Sequence, residues 1–371
     1  MKIVFAGGGT GGHFYPLIAV AEEINELVKA KRLVEAKLFY LADRPYDPRA
    51  LYENSIEFRR ITAGRSNFLG APKIILGILT SIWQLYFIYP DVVFSKGGYV
   101  SFPVLWAARF LRLPVIIHDS DSAPGRVSLW SAKFAKRIAL SYPEAASRFP
   151  PEKTAVVGNP IRRELLSPVS HGAYEFLHLT ADVPTILILG GSQGAMTIND
   201  SVLDILPKLL ERYQIIHQVG PNNLADVEKR ASFILEQVPA DHKARYKPFA
   251  LLNKDALRMA AGIVALIISR GGSGAVFEFA AWGIPSIIIP IPEPTSHDQL
   301  QNAFTYARAG GAVVIEQGNL TPSILMSEIN RLLGNPTLLE QMKKGSKSFA
   351  RPEAGRLIAE QIIAIALGHE S

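Results

Sequence analysis

The chain has 371 residues, 48% of them hydrophobic and 19% charged, a composition that fills a core and excludes extended disorder. It has no cysteine, which excludes disulfides and thiolate metal sites and fits a reducing compartment. Its net charge of +6 suits phosphorylated substrates or anionic lipid; the basic residues are scattered without a Lys/Arg run, so no nucleic acid partner is expected.

The N-terminus enters a strand at once and lacks the segments of a secretory signal, so the expectation is a protein that stays in the cytoplasm. Short apolar runs predict strands over 2–6, 37–42, 57–62, 91–95, 114–118, 137–141 and 154–158, alternating with helix-length segments. A second series predicts strands over 185–190, 214–219, 246–251, 264–269, 285–290 and 312–316. Runs such as Thr185-Ile186-Leu187-Ile188-Leu189 are apolar on both faces, as buried parallel strands are. The alternation implies βαβ units with right-handed crossovers. A single core rarely grows past about 250–300 residues, so two domains are expected.

The series breaks over 161–184, where polar residues, proline and glycine mix, and then restarts. The fold class is therefore α/β, with two Rossmann-like doubly wound domains. The expected boundaries are a first domain over 1–163, a linker over 164–182 and a second domain over 183–352. An amphipathic helix within 353–371 is expected to pack back on the first domain.

Residues 74–89, "IILGILTSIWQLYFIY", contain almost nothing polar. A spanning helix needs about 20 apolar residues, and this run is shorter and bounded by Lys73 and Asp91. The plain reading is a core helix. The sharper one is a surface helix whose apolar face touches the bilayer, with Phe68, Leu69 and Trp83 contributing.

Each series opens with a glycine-rich turn. Gly8-Gly9-Thr10-Gly11-Gly12 follows the first strand and precedes a helix, which offers unpaired N–H groups and partial positive charge to an anion such as phosphate. Gly7-x-Gly9-x-x-Gly12 has dinucleotide spacing, but Glu35 and Asp43 do not convincingly supply the ribose carboxylate, and the lysine of a Walker loop is missing. His13 adjoins this turn, where it suits a base or a hydrogen-bond donor. Gly190-Gly191-Ser192-Gln193-Gly194-Ala195 repeats the logic, with the Ser192 hydroxyl available to a phosphate oxygen. Within 269–303, Arg270-Gly271-Gly272-Ser273-Gly274 precedes a helix bearing Glu278, and a loop ends Asp298-Gln299-x-x-Asn302. One carboxylate at a helix start can accept from both ribose hydroxyls, and Asp298 and Gln299 suit sugar hydroxyls. A helix cap and a polar loop explain any one of these residues but not the ensemble.

The 269–303 stretch resembles the nucleotide-sugar signature of GT-B glycosyltransferases. With "GGTGGH", "SKGGYVSFP" (95–103), "VGNPIR" (157–162) and "GGSQGA", the chain is similar to the MurG family from residue 2 to about 320. That family comprises the UDP-N-acetylglucosamine–N-acetylmuramyl-(pentapeptide) pyrophosphoryl-undecaprenol N-acetylglucosamine transferases of peptidoglycan synthesis. The resemblance implies the GT-B arrangement, two Rossmann-like domains facing a central cleft, with the donor on the second. It implies that Ser192 meets a donor phosphate, Glu278 the ribose, and Asp298 with Gln299 the N-acetylglucosamine, with Gln193, Ser273 and Asn302 also binding the donor. Thr10, Gly11, Gly12, Asp121 and Arg162 would reach the donor from the first domain. Gly9, Thr10, Gly98, Tyr99 and Ser101 would receive the acceptor's pyrophosphate. His13, or Asp119, would take the proton of the reacting hydroxyl.

Two departures stand out. The family's usual HEQN appears as His118-Asp119-Ser120-Asp121, with Asp121 in the asparagine position, and its Asp-His-Gln order as His297-Asp298-Gln299. Asp119-Ser120-Asp121 also forms a DxD triplet, whose place in a Rossmann loop argues for coincidence, so no metal or other cofactor is expected. The implied reaction is inverting transfer of N-acetylglucosamine to the muramyl 4-hydroxyl of lipid I, giving lipid II. The implied place is the cytoplasmic face of the bacterial inner membrane, held peripherally. Alternatives are a GT-B glycosyltransferase with another acceptor and a non-catalytic sugar-nucleotide-binding subunit.

Overall fold

In the computed structural model, residues 1–64, 71–293, 296 and 298–368 are described; Phe68, Leu69 and His297 lie outside them. The chain forms two compact units, Met1–Arg163 with Arg351–Ser371, and Glu164–Ala350.

The first unit runs β1 (Lys2–Ala6), α1 (Gly11–Ala30), β2 (Lys37–Ala42), α2 (Pro48–Glu53), β3 (Ile56–Arg60), α3 (Ala71–Ile88), β4 (Val92–Ser95), α4 (Phe102–Phe110), β5 (Val115–Asp119), α5 (Arg126–Ser131), β6 (Arg137–Leu140) and β7 (Thr154–Val156). Its sheet is parallel, in the order β3-β2-β1-β4-β5-β6-β7. Burial on both faces explains why β1, β4 and β5 read as unbroken apolar runs. In α1, Phe14, Leu17, Ile18, Ala21, Ile24 and Leu27 recur at helical spacing and are buried.

The second unit runs α6 (Ala173–Leu177), β8 (Thr185–Leu189), α7 (Met196–Leu210), β9 (Gln214–Gln218), α8 (Leu224–Leu235), α9 (Ala240–Lys243), β10 (Tyr246–Phe249), α10 (Lys254–Ile263), β11 (Val264–Ser269), α11 (Ser273–Trp282), β12 (Ser286–Ile288), α12 (Gln299–Arg308), β13 (Ala312–Val314), α13 (Pro322–Leu333) and α14 (Pro336–Phe349). Its parallel sheet has the order β10-β9-β8-β11-β12-β13. The last helix, α15 (Ala354–Leu367), belongs to the first unit and packs on α1. Gly355 and Ala359 face this contact and are buried.

Two expectations are corrected. The stretch 164–182 is not a linker but part of the second unit. Leu165 and Leu177 are buried, the Trp282 indole N–H donates to the Leu165 carbonyl at 2.6 Å, and Lys254 pairs with Glu164 at 2.7 Å. Its helices are too short for their apolar positions to show a period. The second correction concerns α3, which is not a core helix. Among its described residues it buries only Gly77, Ser81, Leu85 and Ile88, a stripe that faces α4 and the Thr62 backbone. Ile75, Leu76, Leu79, Trp83, Tyr86 and Phe87 are each more than half exposed. Trp83 and Phe87 meet tilted at 4.5 Å between ring centroids, and exposed Phe110 on α4 stacks with Trp106. No helix among the described residues is long and apolar enough to cross a membrane.

Ile362 is fully buried on α15. Ile362→Ala is expected to cost about 2–5 kcal/mol in urea denaturation, the usual range for emptying a core site; a cost below about 1 kcal/mol would contradict the packing of α15 on α1.

Candidate functional site

A parallel sheet delivers every strand to the same edge, and the crevice opens where strand order reverses. That point lies between β1 and β4 in the first unit and between β8 and β11 in the second. The residues singled out from sequence gather at these two edges.

In the first unit, the turn after β1 ends at Thr10, the N-cap of α1, which makes no side-chain capping bond. The N–H groups of the first helical turn, at Gly11 and Gly12, are therefore the donors on offer to an anion. The Thr10 hydroxyl lies 2.9 Å from His13 Nδ1 instead. His13 is half-buried with its ring against the turn after β4. Gly98 has φ +78°, and a Cβ there would stand 3.3 Å from the imidazole. Only glycine gives both that backbone and that clearance. Tyr99 covers Gly9 in the same way, its ring 3.3 Å from where a Cβ would be. Ser101 is buried, and its hydroxyl donates to the Gly98 carbonyl at 2.8 Å, so it closes this turn.

The end of β5 supplies the carboxylates. Asp119 is buried and engaged at both oxygens: Oδ1 accepts from the Asp121 N–H and Oδ2 from the Gly125 N–H, each at 3.2 Å. It thus organises the loop. Burial, and then the neighbouring Asp121 carboxylate, raise its carboxyl above the usual range. The Ser120 hydroxyl donates to Asp121 at 3.2 Å. His118 is buried, with Nε2 2.9 Å from the Gly158 carbonyl, and burial holds it neutral well below the usual imidazole range. Arg162 lies over the Tyr15 ring at 4.1 Å, and the Tyr15 hydroxyl donates to Asp47 at 3.3 Å.

Sequence reading missed Lys96. It is 2% exposed at the end of β4, and among the described residues its ammonium has no hydrogen-bond partner. Burial lowers it to about 8, against the upward pull of Asp121 and Asp119. Burial and the Lys96 charge hold His13 down at about 4, opposed by Asp121. The signal was in the quoted "SKGGY": a lysine between a buried strand and a glycine turn has little route to solvent.

In the second unit, Gly194 has φ +79°, and a Cβ there would collide with the Val219 carbonyl. Gln218 ties the turn down, donating to the Gly191 carbonyl at 3.1 Å and accepting from the Leu252 N–H at 2.9 Å. Ser192 and Gln193 stand exposed at the tip, before the uncapped start of α7. Beneath them His217 is buried between the Tyr246 hydroxyl (3.0 Å) and Asn199 Oδ1 (3.1 Å), and burial holds it at about 3. The next turn passes so close to α12 that a Cβ at Gly271 would lie 2.6 Å from the Gln299 carbonyl. Gln299 Oε1 accepts from the Ile291 N–H at 3.2 Å, and buried Asn302 donates its N–H to the Asp298 carbonyl at 3.0 Å. Ser273 is buried at the start of α11, and half-buried Glu278 sits one turn on. The structure thus brings Gly271–Ser273 together with Asp298–Asn302 on the edge that also carries Ser192. Among the described residues no cluster of three or more His, Asp and Glu side chains is placed to hold a metal ion.

Residues 3–140 match the glycosyltransferase family 28 N-terminal domain and residues 185–358 its C-terminal domain. The chain is 35% identical to the UDP-N-acetylglucosamine–N-acetylmuramyl-(pentapeptide) pyrophosphoryl-undecaprenol N-acetylglucosamine transferase of Shouchella clausii, across 94% of this chain and 96% of that protein. It is 31% identical to the Treponema denticola protein of the same name, across 96% of each. Among solved structures, Acinetobacter baumannii MurG superposes with a TM-score of 0.74 at 24% identity, over 98% of this chain and 99% of that one, which shows the shared fold.

Buried His217 gives this architecture a pH dependence. Its folded pKa of about 3 lies below the unfolded 6.5, so the unfolded chain takes up a proton that the folded chain refuses, and stability present above pH 6.5 is lost as pH falls toward 3. At pH 5 this one ring accounts for about 2 kcal/mol. Urea midpoints at pH 7.5 and pH 5 check it: the expected result is a lower midpoint at pH 5, and an unchanged one would contradict the neutral buried ring.

Proposed function

The chain belongs to glycosyltransferase family 28, and from that membership we propose that it transfers N-acetylglucosamine from UDP-N-acetylglucosamine to the muramyl 4-hydroxyl of undecaprenyl-pyrophosphoryl-MurNAc-pentapeptide, lipid I, giving lipid II for peptidoglycan. The observation that carries the chemistry is His13, neutral and aimed by Thr10 across Gly98 at the mouth of an anion-binding turn. An inverting single displacement needs a base for the acceptor hydroxyl and a place for the departing UDP charge. His13 serves as the base. With Nδ1–H donated to the Thr10 hydroxyl, Nε2 is left to take the proton. Burial, and then the Lys96 charge, keep the ring unprotonated in the free enzyme, and the acceptor's diphosphate, arriving at Gly9–Gly12 and Gly98–Tyr99, raises its basicity when the substrate is in place.

The donor reading follows the second unit. The α7 N-terminus with Ser192 and Gln193 receives the diphosphate, Glu278 the ribose, and Asp298, Gln299 and Asn302 the sugar. Arg162, fixed over Tyr15, is a positive charge of the first unit beside the start of α1. No metal is part of this reading. The oxygens of Asp119 are taken up by backbone N–H groups, and buried Lys96 already supplies the cation beside Asp119 and Asp121.

A polyprenyl acceptor places the enzyme at a membrane surface, here the cytoplasmic face of the plasma membrane, as a peripheral protein. The exposed apolar face of α3, continued by Phe110, supports this reading, with exposed Lys73, Arg109 and Arg112 on α3, on α4 and just beyond α4 to meet anionic headgroups.

The reading is tested by UDP release from UDP-N-acetylglucosamine in the presence of lipid I and EDTA. Turnover is expected; release only with another lipid or small acceptor would favour a related transferase, and dependence on added magnesium would bring Asp119 and Asp121 back as ligands. In this assay His13→Ala is expected to lower kcat about 10²–10⁴-fold with UDP affinity unchanged. Glu278→Ala is expected to weaken UDP binding about 10- to 100-fold, the loss of one charged hydrogen-bonding group; unchanged affinity removes Glu278 from the ribose.

The membrane reading has its own check. Trp83→Ser with Phe87→Ser removes about 1.5–3 kcal/mol of apolar burial per side chain if both insert, so sedimentation with anionic vesicles is expected to fall while UDP affinity holds. Undiminished vesicle binding would place the contact elsewhere.

A further inference from the structure

Two adjacent arginines at the end of the first unit's main segment meet α1 in opposite ways. Arg163 is fully engaged: its backbone N–H donates to Glu22 at 2.8 Å, and its guanidinium pairs with Glu26 at 3.2 Å and Glu23 at 3.7 Å. Arg162 lies over the Tyr15 ring instead, 4.1 Å from its centroid. It is half-buried and forms no ion pair among the described residues, and its Nε is buried without a hydrogen-bond partner there. The carboxylate that touches Tyr15 is already committed. Asp47 Oδ1 accepts from the Ala50 N–H at 3.1 Å, capping α2, and Oδ2 accepts from the Tyr15 hydroxyl at 3.3 Å. Burial, and then the Asp47 charge, push that hydroxyl up to about 12 against the pull of Arg162, so it stays protonated and leaves the guanidinium charge intact. Tyr46 meets the Tyr15 ring edge-on at 5.8 Å between centroids. Both rings stand against the glycine turn: a Cβ at Gly11 would lie 3.1 Å from the Tyr46 hydroxyl and 3.4 Å from the Tyr15 ring.

We propose that Tyr15 is a positioning residue that holds the Arg162 guanidinium by its ring face and presents it, unneutralised, to a diphosphate ester, the group that both substrates of the transferase reading carry. A carboxylate would hold an arginine too, but would take up its charge and its N–H donors. An aromatic face fixes the plane of the guanidinium and leaves the donors at its edge free. Those donors match the oxygens of a phosphate in pairs. Tyr15 touches no substrate in this account; it acts through Arg162, and the bond to Asp47 fixes the ring that carries it. The identity of the substrates rests on the transferase reading above; the positioning of Arg162 does not.

The test is a cycle of Tyr15→Met, Arg162→Gln and the double variant, with Tyr15→Phe as the conservative change. It is read as equilibrium binding of UDP and, separately, of lipid I in detergent. Arg162→Gln is expected to weaken binding of one of them about 10- to 100-fold. Tyr15→Met, which keeps bulk without a ring, is expected to weaken the same ligand about 3- to 30-fold. Tyr15→Phe is expected to recover most of that loss, and the double variant to bind no more weakly than Arg162→Gln alone. Weakened UDP assigns the guanidinium to the donor's diphosphate; weakened lipid I alone assigns it to the acceptor's. Binding of both ligands unchanged in either single variant, or losses that multiply in the double variant, overturns the positioning role. A lowered urea midpoint with binding intact overturns it too, because that is what a merely structural clasp gives. Should Tyr15→Met fail to fold, the Arg162 Nε–H resonance of the wild-type chain decides. It is expected upfield of the ordinary arginine range, under the Tyr15 ring, and to move on addition of ligand; an ordinary or unmoved resonance overturns the role. Wild-type chain that binds neither UDP nor lipid I rejects the transferase reading instead, and inorganic pyrophosphate, the shared anion, then judges Tyr15 by the same cycle.

Discussion

Both units depend on one geometric constraint: parallel strands connected by right-handed helical crossovers place every strand's C-terminal end, and every following helix N-terminus, on the same edge of the sheet. Polar backbone groups accumulate there because the first N–H groups of a helix have no partner within it. The chain turns that accumulation into binding surface by setting glycine where a side chain would block the approach, as at Gly98 against His13 and at Gly194 against the Val219 carbonyl. Polar side chains reach that edge from within a residue or two of a strand end, as His118, Asp119 and Arg270 do, or from the start of the next helix, as Ser273 does.

The same edge concentrates buried charge, and the two units manage it differently. In the first, a lysine, two aspartates and two histidines lie near one another, with Lys96 acting on both histidines and on Asp119, and Asp121 acting on His13, Lys96 and Asp119. In the second, the turn is braced by neutral hydrogen bonds through Gln218, Asn199 and His217. A charged cluster responds to a nearby anion, and a neutral brace holds still. Apolar surface is also divided by purpose. Helix α1 buries its apolar stripe against the sheet and α15, while α3 leaves six large side chains in solvent.

Most of this was legible in the sequence because the elements with the strongest periodicity are the ones that build the sheet. The described strands stand where apolar runs predicted them, with ends shifted by a residue or two, since burial on both faces leaves no room for polar residues. The glycine turns, His13, Glu278 and the 298–302 loop stood out because such residue types at or near a strand end or helix start suit the chemistry sought there. What escaped was tertiary. Residues 164–182 carry no period and dock through Leu165 and Leu177. An all-apolar α3 gives no face to read, so exposure had to come from its neighbours. Asp119 looked like a base and Ser101 like a contact until hydrogen bonds to Gly125, Asp121 and Gly98 assigned them to loop architecture. Lys96 was passed over because a single lysine beside glycines reads as solvated until the fold encloses it.

The central claim is that this chain, through a base on the first unit, joins an N-acetylglucosamine residue to the muramyl 4-hydroxyl with inversion. The most direct measurement is the structure of the product formed from α-linked UDP-N-acetylglucosamine and lipid I, read by NMR as the anomeric configuration and the linked position. The account predicts a β-linkage to the 4-oxygen of the muramyl residue. An α-linkage, attachment at another hydroxyl, or free N-acetylglucosamine as the sole sugar product would contradict it.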